Sequence, residues 1–89
     1  MNNEYRVLIN PAAWAQIMAL DAKQQARVVE TIESLEQNAR PSGVVKLAGN
    51  DDLYRVRVGD YRIVYQVQDA QLLVLIVKVG HRRDVYRDR

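Results

Sequence analysis

The chain has 89 residues, no cysteine, one histidine and a formal net charge of +2. This length supports one small domain spanning residues 1–89. The composition argues against disulfides, thiolate catalysis and a zinc site, and it fits a reducing cytoplasm. The longest apolar run, residues 72–77, is too short to cross a bilayer, so we expect no membrane association.

The charge is distributed unevenly along the chain. Residues 1–45 contain four Lys/Arg and five acidic residues, whereas residues 46–89 contain nine Lys/Arg and six acidic residues. The second half is therefore basic, which points toward a nucleic-acid partner.

The chain begins with a predicted strand and a short helix. Residues 5–9 form the strand, and Asn10-Pro11 is typical of a helix N-cap followed by proline at the first helical position. This helix is expected to bury three apolar residues at helical spacing: Trp14, Ile17 and Leu20.

A second helix is predicted from Asp21 onward. Asp21 has the character of an N-cap, with Gln24 in a capping-box position, and Pro-Ser-Gly at residues 41–43 is expected to end the helix. Its buried stripe is predicted to comprise Ala22, Ala26, Val29, Ile32, Leu35 and Ala39. We expect the two helices to form a hairpin that covers a sheet.

Residues 53–67 predict a β-hairpin around Gly59-Asp60, a two-residue loop signal. In this register Arg57 lies directly opposite Arg62, and Arg55 lies opposite Val64. The side-chain period of two assigns one face to the core: Tyr54, Val56, Val58, Tyr61, Ile63 and Tyr65. The other face gathers three cations: Arg55, Arg57 and Arg62.

This cationic face has two interpretations. Like charges directly opposite each other destabilise a sheet, so folding alone does not account for the Arg57–Arg62 pair. Guanidinium groups bind phosphate in a bidentate manner, and a group of them suits a polyanion. The alternative is a solvated strand face whose arginine stems cover apolar neighbours.

The last predicted strand, residues 72–79, is apolar on both faces, as a central strand should be. Pairing Val67 with Leu72 places Leu73, Leu75 and Val77 beside the arginines. With residues 44–47 leading into the strand region, the predicted order is β-α-α-β-β-β. This is an α+β fold: a mostly antiparallel four-stranded sheet with a two-helix hairpin on one face.

Three segments accompany this order of elements: Lys-Leu-Ala-Gly at residues 46–49, Tyr-Arg-Val-Arg-Val-Gly-Asp-Tyr-Arg at residues 54–62 and Val-Gly-His-Arg-Arg at residues 79–83. Together they closely resemble the RelE branch of the RelE/ParE toxin superfamily. The resemblance covers essentially the whole chain. It implies a toxin of a type II toxin–antitoxin pair that enters the vacant A site of the ribosome and cuts mRNA. The message's own 2′-hydroxyl attacks the adjacent phosphate, and no metal or cofactor takes part. The implied partners are the ribosome, mRNA and a RelB-like antitoxin.

The resemblance also implies roles for individual residues. Arg62 is expected to stabilise the transition state at phosphorus, and Arg82 to share that task or act as an acid. Tyr86 is expected to orient the nucleotide and join the proton transfer. Phosphate contacts are expected from four other basic residues of this half: Arg55, Arg57, Lys46 and Arg83.

Arg55 and Arg57 depart from the family pattern, because many members carry lysine at these positions. Arginine does not lose its proton in a protein, so neither residue can be the general base. The base is then Tyr86, His81 or a ribosomal group, and the sequence leaves all three open.

Other interpretations stand beside these roles. Tyr86 could anchor the tail, His81 could be a surface residue or a cap, and Lys46 could be merely solvated. Two other functions are also compatible with the sequence: a ParE-like toxin that inhibits a DNA topoisomerase, and a catalytically weak module that binds RNA or antitoxin.

Overall fold

The computed structural model describes residues 4–47, 49 and 52–83. In chain order these residues form β1 (Arg6–Ile9), α1 (Pro11–Met18), α2 (Ala22–Ser34), β2 (Val45–Lys46), β3 (Leu53–Val58), β4 (Tyr61–Gln68) and β5 (Leu73–His81). One predicted site residue, Tyr86, lies outside the described residues.

The described strands form one sheet in the order β1-β5-β4-β3-β2. β1 runs parallel to β5, and every other neighbouring pair is antiparallel. The α+β class, the mostly antiparallel sheet and the central position of β5 are therefore confirmed. The predicted count of four strands is wrong, because Val45 and Lys46 pair with Arg55 and Tyr54 as a fifth strand at the sheet edge.

The predicted hairpin is confirmed residue by residue. Val58 pairs with Tyr61, Arg57 with Arg62, and Arg55 with Val64. Gly59 has φ +59°, which a type II′ turn requires at its first central position and which glycine adopts without strain. The apolar face lies against the helices, where Tyr54, Val56, Val58, Ile63 and Tyr65 are buried.

Both helices begin where the sequence predicts. Asn10 Oδ1 accepts from Ala13 N at 2.8 Å, and Asp21 Oδ1 accepts from Gln24 N at 2.9 Å. The reciprocal half of the capping box is not formed, since the buried Gln24 Oε1 has no hydrogen-bond partner among the described residues.

The helices bury only part of the predicted stripe. Four predicted residues are buried, namely Ile17, Ile32, Leu35 and Ala39, whereas Ala22 and Ala26 are exposed. In α2 the core residues are Val28 and Ile32, followed by Leu35 and Ala39, whereas Val29 is exposed. In α1, Ile17 is buried but Trp14 is 52% exposed. The prediction of Val29 was wrong because Val28 and Val29 are adjacent and fit the helical periodicity almost equally well. Contact with the sheet selects Val28.

Helix α2 ends at Ser34, well before the predicted stop at residues 41–43. The following segment is held by the sheet instead of continuing the helix. Glu36 O accepts from Tyr5 N at 2.9 Å, and Ala39 O accepts from the Tyr65 hydroxyl at 2.8 Å. These long-range bonds use carbonyls that a longer helix would need for itself.

The β4–β5 pairing differs from the prediction in two ways. Asp69–Gln71 forms a 3₁₀ turn and Leu72 has φ +50°, so Val67 pairs with Val74 rather than with Leu72. Further along, the register shifts between Val64/Tyr65, whose partners are Lys78 and Ile76, so β5 contains one extra residue. Such a β-bulge changes which side chains follow on each face.

Candidate functional site

The arginine face is the side of the sheet opposite the helices, near the Gly59-Asp60 turn, and it is defined by Arg55, Arg57 and Arg62. Arg57 and Arg62 are direct cross-strand partners. Arg55 lies two residues before Arg57 in β3, and its side chain is therefore on the same face. Arg57 is exposed, and the other two are half-buried. Among the described residues both helices pack on the other side, so the three side chains share an uncovered surface.

Lys78 adds a fourth cation to this face, which the sequence pattern did not predict. It pairs with Val64, which in turn pairs with Arg55, so the three residues form one row across the sheet. Val64 is only 8% exposed although no described helix covers it, as expected when long flanking side chains lie over it. Strict alternation of side chains along β5 would place Lys78 on the core face. The bulge moves it to the arginine face, and the sequence pattern does not predict the bulge.

An apolar strip continues the arginine face toward β1. Leu75 lies between Gln66 and Leu8, and Leu73 lies between Gln68 and Arg6. Leu73 and Leu75 are therefore confirmed on the arginine face. Leu75 lies in the row next to Arg55 and Lys78, Leu73 lies one row further away, and Val77 is the extra residue of the bulge. Leu8 is 47% exposed, so this strip is open to a partner.

Arg82 directly follows β5 and lies at the hairpin turn. Its backbone N–H donates to Asp60 O at 2.8 Å. Two residues earlier, Gly80 pairs with Arg62, so no side chain from β5 competes with the Arg62 guanidinium at that position. The fold thus brings the Arg82 backbone to the same end of the sheet as Arg57 and Arg62. Arg83 is exposed next to it.

His81 lies on the other side of the sheet. It pairs with Tyr61, and the two rings meet edge to face with centroids 5.6 Å apart. Its Nδ1 accepts from Arg83 N at 3.3 Å. The strand geometry therefore separates the imidazole from Arg62, which alternates to the opposite face.

Lys46 is also separated from the arginines. It pairs with Tyr54, a residue of the core face, whereas its neighbour Val45 pairs with Arg55. Lys46 is exposed because β2 is the edge strand. Of the predicted phosphate contacts, the sheet gathers Arg55 and Arg57 but leaves Lys46 on the other side.

A separate charged cluster lies at the opposite end of the sheet, and no sequence pattern predicted it. Arg40 forms two hydrogen bonds with Asp69, at 3.0 and 2.8 Å, and its Nε donates to the Tyr54 hydroxyl at 2.9 Å. Tyr5 also donates to Asp69, at 2.6 Å. The hydrogen bonds from Arg40 and then Tyr5 hold the pKa of Asp69 at about 2.

This cluster stabilises the fold and is distant from the arginine face. It joins the start of β1, the segment after α2, the start of β3 and the β4–β5 turn. Beneath it Tyr54 and Tyr65 stack with centroids 6.0 Å apart. Burial raises the pKa of Tyr65 to about 12, so its hydroxyl keeps the proton that it donates to Ala39 O.

A second open surface lies on the helix side. Residues of both helices and β1 line an apolar groove, in which Trp14, Met18 and Val29 are exposed and Glu33 and Glu36 form part of the wall. Its composition contrasts with the arginine face, since it is apolar with acidic groups. Within the described ranges no three His, Cys, Asp or Glu side chains lie together as a metal site would need, and no helix there could span a membrane.

Comparisons with known proteins agree with this geometry. The family described as "ParE toxin of type II toxin-antitoxin system, parDE" matches residues 7–86. A RelE-like toxin protein of Escherichia coli is 34% identical over 87 residues, which is 92% of this chain and 90% of that protein. The mRNA interferase toxin RelE of Escherichia coli K12 is 35% identical over 66 residues, covering 70% of this chain and 64% of that one.

A solved structure shows the same fold. The archaeal RelE in the RelE-RelB complex from Pyrococcus horikoshii OT3 superposes with a TM-score of 0.80 at 33% identity, covering 89% of this chain and 96% of that chain. The chain belongs to the RelE branch of the RelE/ParE toxin superfamily. For this RelE-branch toxin, the matched span takes in every residue to which the resemblance assigns a role, from Lys46 to Tyr86.

Proposed function

We propose that this RelE-branch toxin is a ribosome-dependent mRNA endoribonuclease that acts in the cytoplasm. The observation that carries the proposal is the arginine face: Arg57 and Arg62 as direct cross-strand partners, with Arg55 beside them, on a surface that no described helix covers. Two arginines directly opposite each other destabilise the sheet. A bound phosphate backbone would offset that cost, because each guanidinium can donate two hydrogen bonds to one phosphate.

The proposed reaction is an internal transfer at phosphorus. The 2′-oxygen of the mRNA attacks the adjacent phosphate, and the bond to the 5′-oxygen breaks. The products are a 2′,3′-cyclic phosphate and a 5′-hydroxyl, so one proton leaves the 2′-oxygen and one reaches the 5′-oxygen. Arg62 and Arg82 stabilise the negative charge that develops on the phosphate oxygens, while Arg55, Arg57 and Lys78 hold the backbone.

The chemistry and the position of each residue decide which of them can remove the proton from the 2′-hydroxyl. Arg55 and Arg57 cannot act as the base, because arginine keeps its proton. His81 faces Tyr61 on the helix side of the sheet, so the proposal gives it no proton-transfer role. Removal of the 2′-hydroxyl proton then falls to Tyr86 or to a ribosomal group.

The test uses ribosomes programmed with a defined mRNA and an empty A site. We expect cuts phased with the codon in the A site and products that end in a 2′,3′-cyclic phosphate. The same mRNA without ribosomes should be cut poorly, because the ribosome positions the reacting atoms. Efficient cleavage of free RNA, or no cleavage on ribosomes, would contradict the proposal.

The family match favours one other function. It carries the name of ParE toxins, and a ParE-like toxin would inhibit a DNA topoisomerase without cutting RNA. Inducing the protein in bacteria separates the two functions. An early stop of translation with phased mRNA cuts supports the endoribonuclease, whereas continued translation with topoisomerase-linked DNA breaks supports the ParE-like function.

We also propose that a RelB-like antitoxin is the protein partner. The Pyrococcus horikoshii relative was solved as a RelE-RelB complex. In this chain the groove with Trp14, Met18 and Val29 offers an apolar surface of the kind that an amphipathic helix fills. Glu33 and Glu36 favour basic residues at the edge of that helix.

This partner surface can be tested separately from catalysis. With the antitoxin encoded beside the toxin gene, Trp14→Glu should weaken the complex by at least about tenfold, since exposed aromatic residues are common anchors. Cleavage on ribosomes should stay unchanged. Full affinity of the variant would place the antitoxin elsewhere on the toxin.

A further inference from the structure

Among the residues that the structure describes, the last part of β5 has no neighbouring strand on the α1 side. β1 pairs with β5 only from Arg6↔Leu73 to Ile9↔Ile76. Asn10 N donates to Ile76 O at 3.0 Å, and the chain then turns into α1. β5 continues for five more residues to His81, and this stretch leads directly to Arg82.

A side chain of α1 takes the place of the missing strand. Gln16 is half-buried, and its Oε1 accepts from Val79 N at 2.7 Å, across 63 positions of sequence. Gln16 lies on the helix side of the sheet, in the same helix as the core residues Ala13 and Ile17. It therefore binds the backbone of β5 and not the arginine face.

Val79, whose amide donates to Gln16, comes directly after the β-bulge in β5. With uninterrupted alternation from Ile76, Val79 and His81 would lie on the arginine face, and Lys78 and Gly80 would face the core. Instead Val79 pairs with Ile63 and is 2% exposed, while Lys78 and Gly80 pair with Val64 and Arg62. The register after the bulge thus decides which side chains join the site.

We infer that Gln16 is a positioning residue of the site, which holds β5 in its shifted register through the Val79 amide. In this register Lys78 lies in the Arg55 row, Gly80 leaves space beside Arg62, and Arg82 N reaches Asp60 O at 2.8 Å. The effect on cleavage rests on the proposed endoribonuclease function, whereas the effect on the register does not.

The test compares three variants with the wild type. Gln16→Met keeps the side-chain length and the helix propensity but removes the acceptor, Gln16→Asn is too short to reach Val79, and Gln16→Glu retains an acceptor oxygen. Gln25→Met is the matched control, because Gln25 is another half-buried helix glutamine, and its Nε2 donates to Ile17 O of α1 at 3.1 Å rather than binding the Val79 amide.

Register is measured first, by cross-strand NMR contacts. We expect Gln16→Met and Gln16→Asn to weaken the Arg62–Gly80 and Val64–Lys78 contacts while the Val67–Val74 contact, before the bulge, persists. The Val79 amide should exchange at least about tenfold faster than in the wild type. Gln16→Glu and Gln25→Met should keep the wild-type pattern. An unchanged register in both Gln16→Met and Gln16→Asn would overturn the inference.

Cleavage on programmed ribosomes is the second readout. We expect Gln16→Met to lower the maximal single-turnover rate by about tenfold with a change of less than about twofold in the half-saturating toxin concentration. Gln16→Glu should restore the rate. A shifted register with an undiminished rate would remove Gln16 from the mechanism. If the wild type itself cuts nothing, the proposed function fails, and the register measurement still decides the role of Gln16.

Discussion

The two faces of the sheet are built from the same strands and have opposite chemical character. On the helix side, Val56, Ile63 and Tyr65 are buried beneath α1 and α2. On the other side lie Arg57 and Arg62, the neighbours of Val56 and Ile63 along the same strands, together with Lys78 of β5. One face gains free energy from burial of apolar surface, while the other brings like charges together at a cost.

This difference separates, along single strands, the residues that stabilise the fold from those that we propose bind mRNA. Neighbouring residues of β4, Arg62 and Ile63, point in opposite directions, so a substitution at one should leave the role of the other intact. Substitutions on the two faces should therefore change different measured quantities.

The largest effect is expected in the core. Ile63 is fully buried, so Ile63→Ala should lower the free energy of unfolding by about 2–5 kcal/mol. Urea denaturation followed by circular dichroism measures this loss. The cleavage rate per folded molecule should stay close to that of the wild type, and a selective loss of cleavage would show that the faces are coupled.

On the arginine face, Arg62→Gln should lower the cleavage rate on ribosomes by about 100-fold, because one charge-stabilising donor is lost. The urea midpoint should change little. Arg6→Gln is the matched control, since Arg6 is exposed in β1, in line with Leu73 at the far end of the sheet. Equal losses in both variants would mean that only general charge matters.

The charged cluster at the other end of the sheet predicts a pH dependence of stability. Asp69 has a pKa of about 2 in the folded protein, below its ordinary value of 3.8. Its contribution is therefore complete above pH of about 4 and is lost as the pH falls toward 2. Asp69→Asn should flatten the unfolding free energy over that interval, while cleavage at neutral pH remains. An identical acid profile in the variant would show that the Arg40–Asp69 pair contributes nothing measurable.

The smallest effect tests the cost of the like-charged pair. Arg57→Thr removes one charge of the Arg57–Arg62 pair and introduces a residue with good strand propensity, so stability should rise by up to about 1 kcal/mol. Ribosome binding should weaken and depend less steeply on salt. Lower stability of the variant would mean that Arg57 packs in the fold in a way that the strand pairing does not show.

Local sequence determined the hairpin and the composition of its two faces. Gly59-Asp60 sets the turn, and the period of two then assigns Arg55, Arg57 and Arg62 to one side without any long-range information. The helix starts at Asn10 and Asp21 were predictable for the same reason, because each cap bonds an amide three residues away.

The other features of the fold and site depend on contacts between residues far apart in sequence. The bulge that brings Lys78 to the arginine face and turns His81 away from it depends on pairing between β4 and β5, together with the Gln16–Val79 bond across 63 positions. Arg40 meets Asp69 across 29 positions, and the sheet selects Val28 rather than Val29 for the core. Periodicity and capping act within a few residues, whereas register shifts and side-chain partners are fixed by contacts that exist only once the helices have packed on the sheet.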